Sequence, residues 1–257
     1  MTAGGPCATC GAALARAAKF CGACGAATTA HRARVRSEHA RTASVERRHA
    51  LALALAFGGA LLGMLGASRV LGEDTSEAAS LGAAFVAQVA AGAAALAVLG
   101  RGSLRASFAG RPTLALMLVA VPVGAVALGV AVGWVEVLER AFAEADGLPL
   151  VDPTEGAPAS LVWSLALVLG APLVEEWLDR GVVWRALAPL TTVRGQVVVS
   201  ATLFALAHGL NGGFLLELPH RFVGGLALGA LRARSGSLLP SLVAHMTWNG
   251  LALAIGA

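Results

Sequence analysis

The stretch Ala171–Leu187, "APLVEEWLDRGVVWRAL", sets Glu175, Glu176, Asp179 and Arg180 among apolar residues. Four ionisable side chains in so short a span are costly there, and such residues inside a membrane usually face a bundle interior or a watery cavity and mark functional sites. The rest of the chain says that a membrane is the right setting. Of 257 residues, 57% are hydrophobic and 13% charged, with a mean hydropathy of +0.74. That composition lies far from that of a soluble domain. Apolar runs long enough to cross a bilayer recur along the sequence, which predicts an all-α fold: a polytopic membrane helical bundle of about six to eight spans.

Helical spacing sorts the polar residues. Glu176 and Arg180 stand one turn apart in the favourable Glu-before-Arg order, as an interhelical or intrahelical strut would. Glu175 points about 100° away from Glu176, so the two carboxylates can take different tasks. Two further polar groups enter apolar segments: "FALAH", ending at His208, and "HMTWN", with His245 and Asn249 one turn apart. Counted from their nearest turns at the helical rise, Glu175 lies roughly 21 Å deep, His208 roughly 20 Å, His245 about 12 Å and Asn249 about 18 Å. Groups from three separate helices thus converge on one layer. A set of struts would need cations to match its carboxylates, and Glu175, His208, His245 and Asn249 have none to spare. They suit chemistry instead: a carboxylate base, an imidazole, and an imidazole–amide pair able to donate hydrogen bonds.

Upstream, apolar runs cover Ala50–Ala67, Ala78–Gly100 and Thr113–Val135. Basic residues (Arg101, Arg105 and Arg111) and an acidic loop from Glu136 to Ala159 alternate between the crossings. An inside amino terminus puts the basic segments in the cytoplasm, so the expectation is a multi-pass cell-membrane protein with its N-terminus cytoplasmic. No cleavable signal is visible before the first apolar run. Spaced glycine pairs at Gly59/Gly63, Gly129/Gly133 and Gly225/Gly229 let helices approach closely.

The beginning of the chain differs in kind. Cys7 and Cys10 form one CxxC and Cys21 and Cys24 another, each followed by glycine. Two such knuckles supply four thiolates to a tetrahedral structural zinc ion. Two disulfides are the rival pairing, but they need an oxidising compartment that the arginines just downstream argue against. "KFCGACG" around the second knuckle also resembles the short zinc ribbons at the amino termini of many bacterial proteins. A ribbon of this size has little other core, so the ion chiefly holds it folded; a protein partner for it is a further expectation. Residues 31–49 carry six arginines against Glu38 and Glu46. They read as a juxtamembrane segment touching anionic lipid, with no nucleic acid expected. The predicted organisation is a ribbon over 1–30, a basic linker over 31–49, membrane spans over 50–159 and a catalytic membrane core over 160–257.

Read in order, EExxxR, FxxxH and HxxxN on successive membrane helices resemble the CPBP family: the type II CAAX prenyl proteases and their bacteriocin-processing relatives. The resemblance runs from about Ser160 onward. It implies a glutamate-dependent intramembrane endopeptidase acting on a peptide or protein substrate, with no metal at the membrane site. Carried onto matching positions, it makes Glu175 the base that activates water and His208 its helper. His245 and Asn249 would form the oxyanion hole, with Glu176 and Arg180 in support. One departure bears on activity: relatives usually have a large apolar or aromatic residue before the motif arginine, and here Asp179 places a second carboxylate on the face of Glu175. Two other functions compete. One is a catalytically silent scaffold or immunity-type protein whose ribbon recruits a partner; the other is a metallopeptidase ligated by Glu175, His208 and His245.

Overall fold

The computed structural model describes residues 4–15, 17–71, 77–100, 110, 112–142, 161–209 and 216–256. Arg101, Arg105, Arg111, most of the acidic loop and the expected boundary at 159/160 lie outside the described residues. The chain divides into two compact units, Met1–Arg48 and His49–Ala257.

In the first unit, β1 (Gly4–Pro6) pairs antiparallel with β2 (Ala13–Leu14) around the first CxxC, and a Phe20–Ala27 bridge closes the second. The two knuckles repeat the same bonding. Cys7 N–H donates to the Ala12 carbonyl and Gly11 N–H to that of Cys7, and Cys21 and Gly25 do the same with Ala26 and Cys21. Gly11 and Gly25 hold φ of +73° and +71°, which explains a glycine after each CxxC. Thr28 then caps the helix α1 (Thr29–Leu53): its hydroxyl accepts from His31 N–H and donates to the Ala18 carbonyl. The basic segment 31–49 is therefore helical, with an exposed Arg34–Glu38 pair at 2.8 Å.

The second unit is built from helices only, among the described residues. A π-helical turn, Ala54–Gly58, leads into α2 (Gly59–Leu71), followed by α3 (Glu77–Leu99) and α4 (Leu114–Ala141). The motif segment alternates between helical forms: α5 (Leu161–Leu165), a π turn (Ala166–Gly170), α6 (Ala171–Glu176), a longer π turn (Trp177–Val183) and α7 (Trp184–Leu187). Pro172 has no N–H to give to the preceding turn, and the change of hydrogen-bond register just before it absorbs that loss. Then come α8 (Val193–Gly209), α9 (Leu218–Ser235) and α10 (Leu239–Ile255).

Four helical segments among the described residues are long and apolar enough to cross a membrane: Thr29–Gly66, Gly82–Leu99, Leu114–Ala141 and Leu161–Leu187. Helices in lipid gain little from apolar burial against each other, so small residues that allow close contact do much of the joining. Ala52, Ala56 and Ala60 pack with Ala91, Ala95, Val182, Val183 and Ala186 in one core. A Cβ on Gly92 of α3 would run into the Trp177 ring, so α3 lies hard against the motif segment. A Cβ on Gly225 of α9 would stand 3.0 Å from the Ala201 Cα of α8. These contacts fix the frame on which the polar residues are mounted.

Candidate active site

The motif segment, α8 and α10 deliver the polar groups. Glu175 Oε2 lies 3.7 Å from His208 Nε2 and 3.7 Å from His245 Nε2. That separation is too long for a direct hydrogen bond and suits a bridging water. The far side of each ring decides its tautomer. His208 Nδ1 is 2.9 Å from the Phe204 carbonyl, which can only accept, so Nδ1 carries the hydrogen. In the neutral ring Nε2 then offers a lone pair toward Glu175. His245 Nδ1 is 3.1 Å from Glu176 Oε1 and donates to it in the same way. The His208 lone pair and the Glu175 carboxylate oxygen face one gap and form a receptor for O–H donors.

Behind this gap stands a buried ionic support. Glu176 Oε1 also accepts from Arg180 at 3.0 Å, and the two side chains are 1% and 0% exposed. The guanidinium donates as well to the Gly225 carbonyl at 3.1 Å, on the turn where glycine lets α9 approach α8. Arg232 donates from Nε to the Arg180 carbonyl at 3.0 Å and lies over the Trp184 ring. Phe204 is the floor of the site: Arg180 sits 4.7 Å above its ring, and His208 and His245 pack against it at 4.4 and 5.6 Å. Buried charge pairs with one member removed are strongly destabilised, so these residues form a coupled unit.

Glu175, His208, His245, Glu176 and Arg180 are therefore gathered at one place. Asn249 follows a different course: its amide nitrogen donates to the Leu167 carbonyl at 3.0 Å, tying α10 to the π turn before Pro172. Asp179 lies 3.7 Å from Arg180 and, among the described residues, makes no hydrogen bond. A cavity of about 130 Å³ opens beside Glu175, Asp179 and His208, and its opposite wall comes from Phe57, Met64, Phe85 and Gln88.

Sequence reading passed over Arg232, Phe204 and Gln88 as site residues. Arg232 reads as one more basic residue at a helix end, yet it is 6% exposed. Phe204 was visible within FxxxH, where its spacing from His208 already placed both on one face. Gln88 had a signal too, as a lone amide in an otherwise apolar and small-residue span.

In the ribbon, Cys7 Sγ lies 3.8 Å from Cys24 Sγ, and Cys10 Sγ lies 3.7 Å from Cys21 Sγ. All four sulfurs fall within 4.8 Å of one another and all four thiols are free. A tetrahedral ion about 2.3 Å from each sulfur spaces them about 3.8 Å apart, so the cysteines fit a metal ion. The backbone N–H groups of Thr9 and Cys10 bring the Cys7 thiol down to about 6, and those of Cys24 and Ala23 lower that of Cys21, while the neighbouring sulfurs push Cys10 up to about 12. Thiolates are the form that binds metal.

Residues 157–251 match the family model described as Type II CAAX prenyl endopeptidase Rce1-like. The matched segment holds every polar residue of the membrane site from Glu175 to Asn249. This part of the chain is thus similar to a family of CAAX-type proteases, and residues 1–156 and 252–257 lie outside the match. No curated protein and no solved structure matches the chain.

Proposed function

We propose that the chain is an intramembrane endopeptidase of the CAAX-protease and bacteriocin-processing type that hydrolyses a peptide bond with a glutamate-activated water. The observation that carries this reading is the gap between Glu175 Oε2 and the two imidazole Nε2 atoms, each 3.7 Å away. A water held there donates one hydrogen to Glu175 and the other to His208. As its oxygen attacks the scissile carbonyl, the proton on the Glu175 side passes to that carboxylate, which later returns it to the departing amine. His245 meets the oxyanion as its doubly protonated ring, with Nδ1–H on Glu176 and Nε2–H toward the reacting oxygen. Asn249 contributes the second amide hydrogen that its bond to Leu167 leaves over. Donors preplaced away from water are each worth about 10²–10³ in rate. Glu176 and Arg180 position His245 without touching the substrate.

The four-part organisation belongs to the same reading: ribbon, basic helix, N-terminal spans that wall the cavity, and catalytic core. The ribbon holds a structural zinc ion through Cys7, Cys10, Cys21 and Cys24 and offers a docking point for a protein partner. The arginine-rich helix keeps the N-terminus on the cytoplasmic side. The test is to compare peptide termini in cells expressing the wild type and Glu175→Gln. Termini that vanish with the substitution, while the protein stays folded in the membrane, support proteolysis. An identical set of termini rejects it.

A further inference from the structure

The cavity beside Glu175 has an uneven balance of donors and acceptors. Asp179 is 7% exposed, has only the ion pair with Arg180 at 3.7 Å, and makes no hydrogen bond among the described residues. Arg180, the nearest cation, gives its hydrogen bonds to Glu176 and the Gly225 carbonyl. Across the cavity, among the described residues, Gln88 Oε1 is buried with no hydrogen-bond partner, while its Nε2 has only the Met64 sulfur at 3.9 Å. Glu175 Oε2 is likewise without a hydrogen bond. Among the described residues, no lysine or arginine lines this cavity. Burying acceptors that nothing donates to is costly, and the cost falls when a donor-rich group arrives.

A second feature sets the shape of that group. Phe57, Met64 and Phe85 also line the cavity, an apolar surface with room beside it for one long side chain or several waters. Lysine and arginine carry an aliphatic stem under a charged head and bury the stem along apolar surface. The contact at Gly92, one turn beyond Gln88, holds this wall of α3 against the motif segment.

We infer that this cavity is a specificity subsite for a basic substrate residue next to the scissile bond, its cationic head received by Asp179 and Gln88. The inference rests on the peptidase reading, and it gives Asp179 a task that a plain support role does not. Asp179 and Gln88 determine which peptide is cut, and Glu175 performs the cut.

The test uses the full-length protein in liposomes, given a randomised peptide library, with cleavage sites read by mass spectrometry. The best-cleaved sequence is then made as a pair differing only in lysine against norleucine at the subsite position. The wild type should enrich lysine or arginine beside the cut. Asp179→Asn should lower the lysine-to-norleucine ratio of kcat/KM at least tenfold, and Gln88→Leu about threefold. The ratio is internal to each variant, so a general loss of folded enzyme does not imitate the effect, and Gln88 reports from a different helix if Asp179→Asn fails to fold. Cleavage that depends on Glu175 but shows no basic preference, or a ratio unmoved in both variants, overturns the subsite alone. A library left uncut by the wild type and by Glu175→Gln alike overturns the peptidase reading and the subsite with it.

Discussion

The ribbon gathers four sulfurs around one point with almost no apolar core beneath them. The membrane unit gathers a carboxylate and two imidazoles on a frame of packed helices. In the ribbon the two knuckles carry the same backbone bonds and the same left-handed glycine, so its local structure is complete within a few residues of each CxxC. What it lacks is a force to hold the knuckles together, which an ion bound by the four cysteines would supply from outside. In the membrane unit the contacts that assemble the site come from distant parts of the chain. His245 meets Glu176 across 69 positions, and Arg232 meets Arg180 across 52. There the cohesion is packing, and polar groups are held in place by it.

The sharpest way to break the comparison is to withhold the ion proposed for the four cysteines. Chelation, or Cys21→Ser, should release one zinc per chain, measured by elemental analysis of the full-length protein. It should also erase hydrogen-exchange protection at the amides of Cys7, Gly11, Cys21 and Gly25. The free energy at stake is on the order of 10 kcal/mol. Protection that survives without metal would show that the ribbon has a core of its own.

Next in size is Glu175→Gln, which should reduce cleavage of library peptides by about 10³-fold. Its thermal unfolding should stay close to wild type, because Glu175 Oε2 has no hydrogen bond to lose. Arg180→Leu should do the reverse damage. It leaves Glu176 buried without its cation and should destabilise the membrane unit by about 3–5 kcal/mol in detergent unfolding. Adding Glu176→Leu to that variant should recover part of the loss, since paired charges removed together leave no orphan. Equal losses in the single and double variants would contradict the coupled support drawn here.

The same contrast explains what the sequence disclosed. CxxC spacing states its own geometry, so the ribbon ligands were legible as a set. Glu176 with Arg180 was legible because a helical turn relates them. The partners that came from elsewhere were not. His245 reads as one of a pair with Asn249, yet its Nδ1 bonds Glu176, while Asn249 bonds the Leu167 carbonyl. Arg232 resembles the other basic residues at helix ends until α9 packs and carries it to the Arg180 carbonyl. Gln88 acquires meaning only when α3 closes on the motif segment. Period and spacing describe one element at a time, and these contacts are properties of pairs.

Glycine gives the smallest and cleanest test of that limit, because one helix holds both kinds. Gly129 and Gly133 of α4 have the spacing of a close helix contact, but a Cβ on either would meet nothing within 4 Å. Gly124 of the same helix belongs to no such pair, yet a Cβ there would run into the Ala244 carbonyl and stand 2.9 Å from the Thr247 Cβ on α10. Added volume at a tight contact costs about 1–3 kcal/mol, whereas alanine in open helix gains up to about 1 kcal/mol over glycine. Gly124→Ala should therefore lower the unfolding midpoint, and Gly129→Ala and Gly133→Ala should hold or raise it. If all three shift alike, the glycines answer to helix propensity rather than to their neighbours, and the close seam between α4 and α10 is not what holds His245 in reach of Glu176.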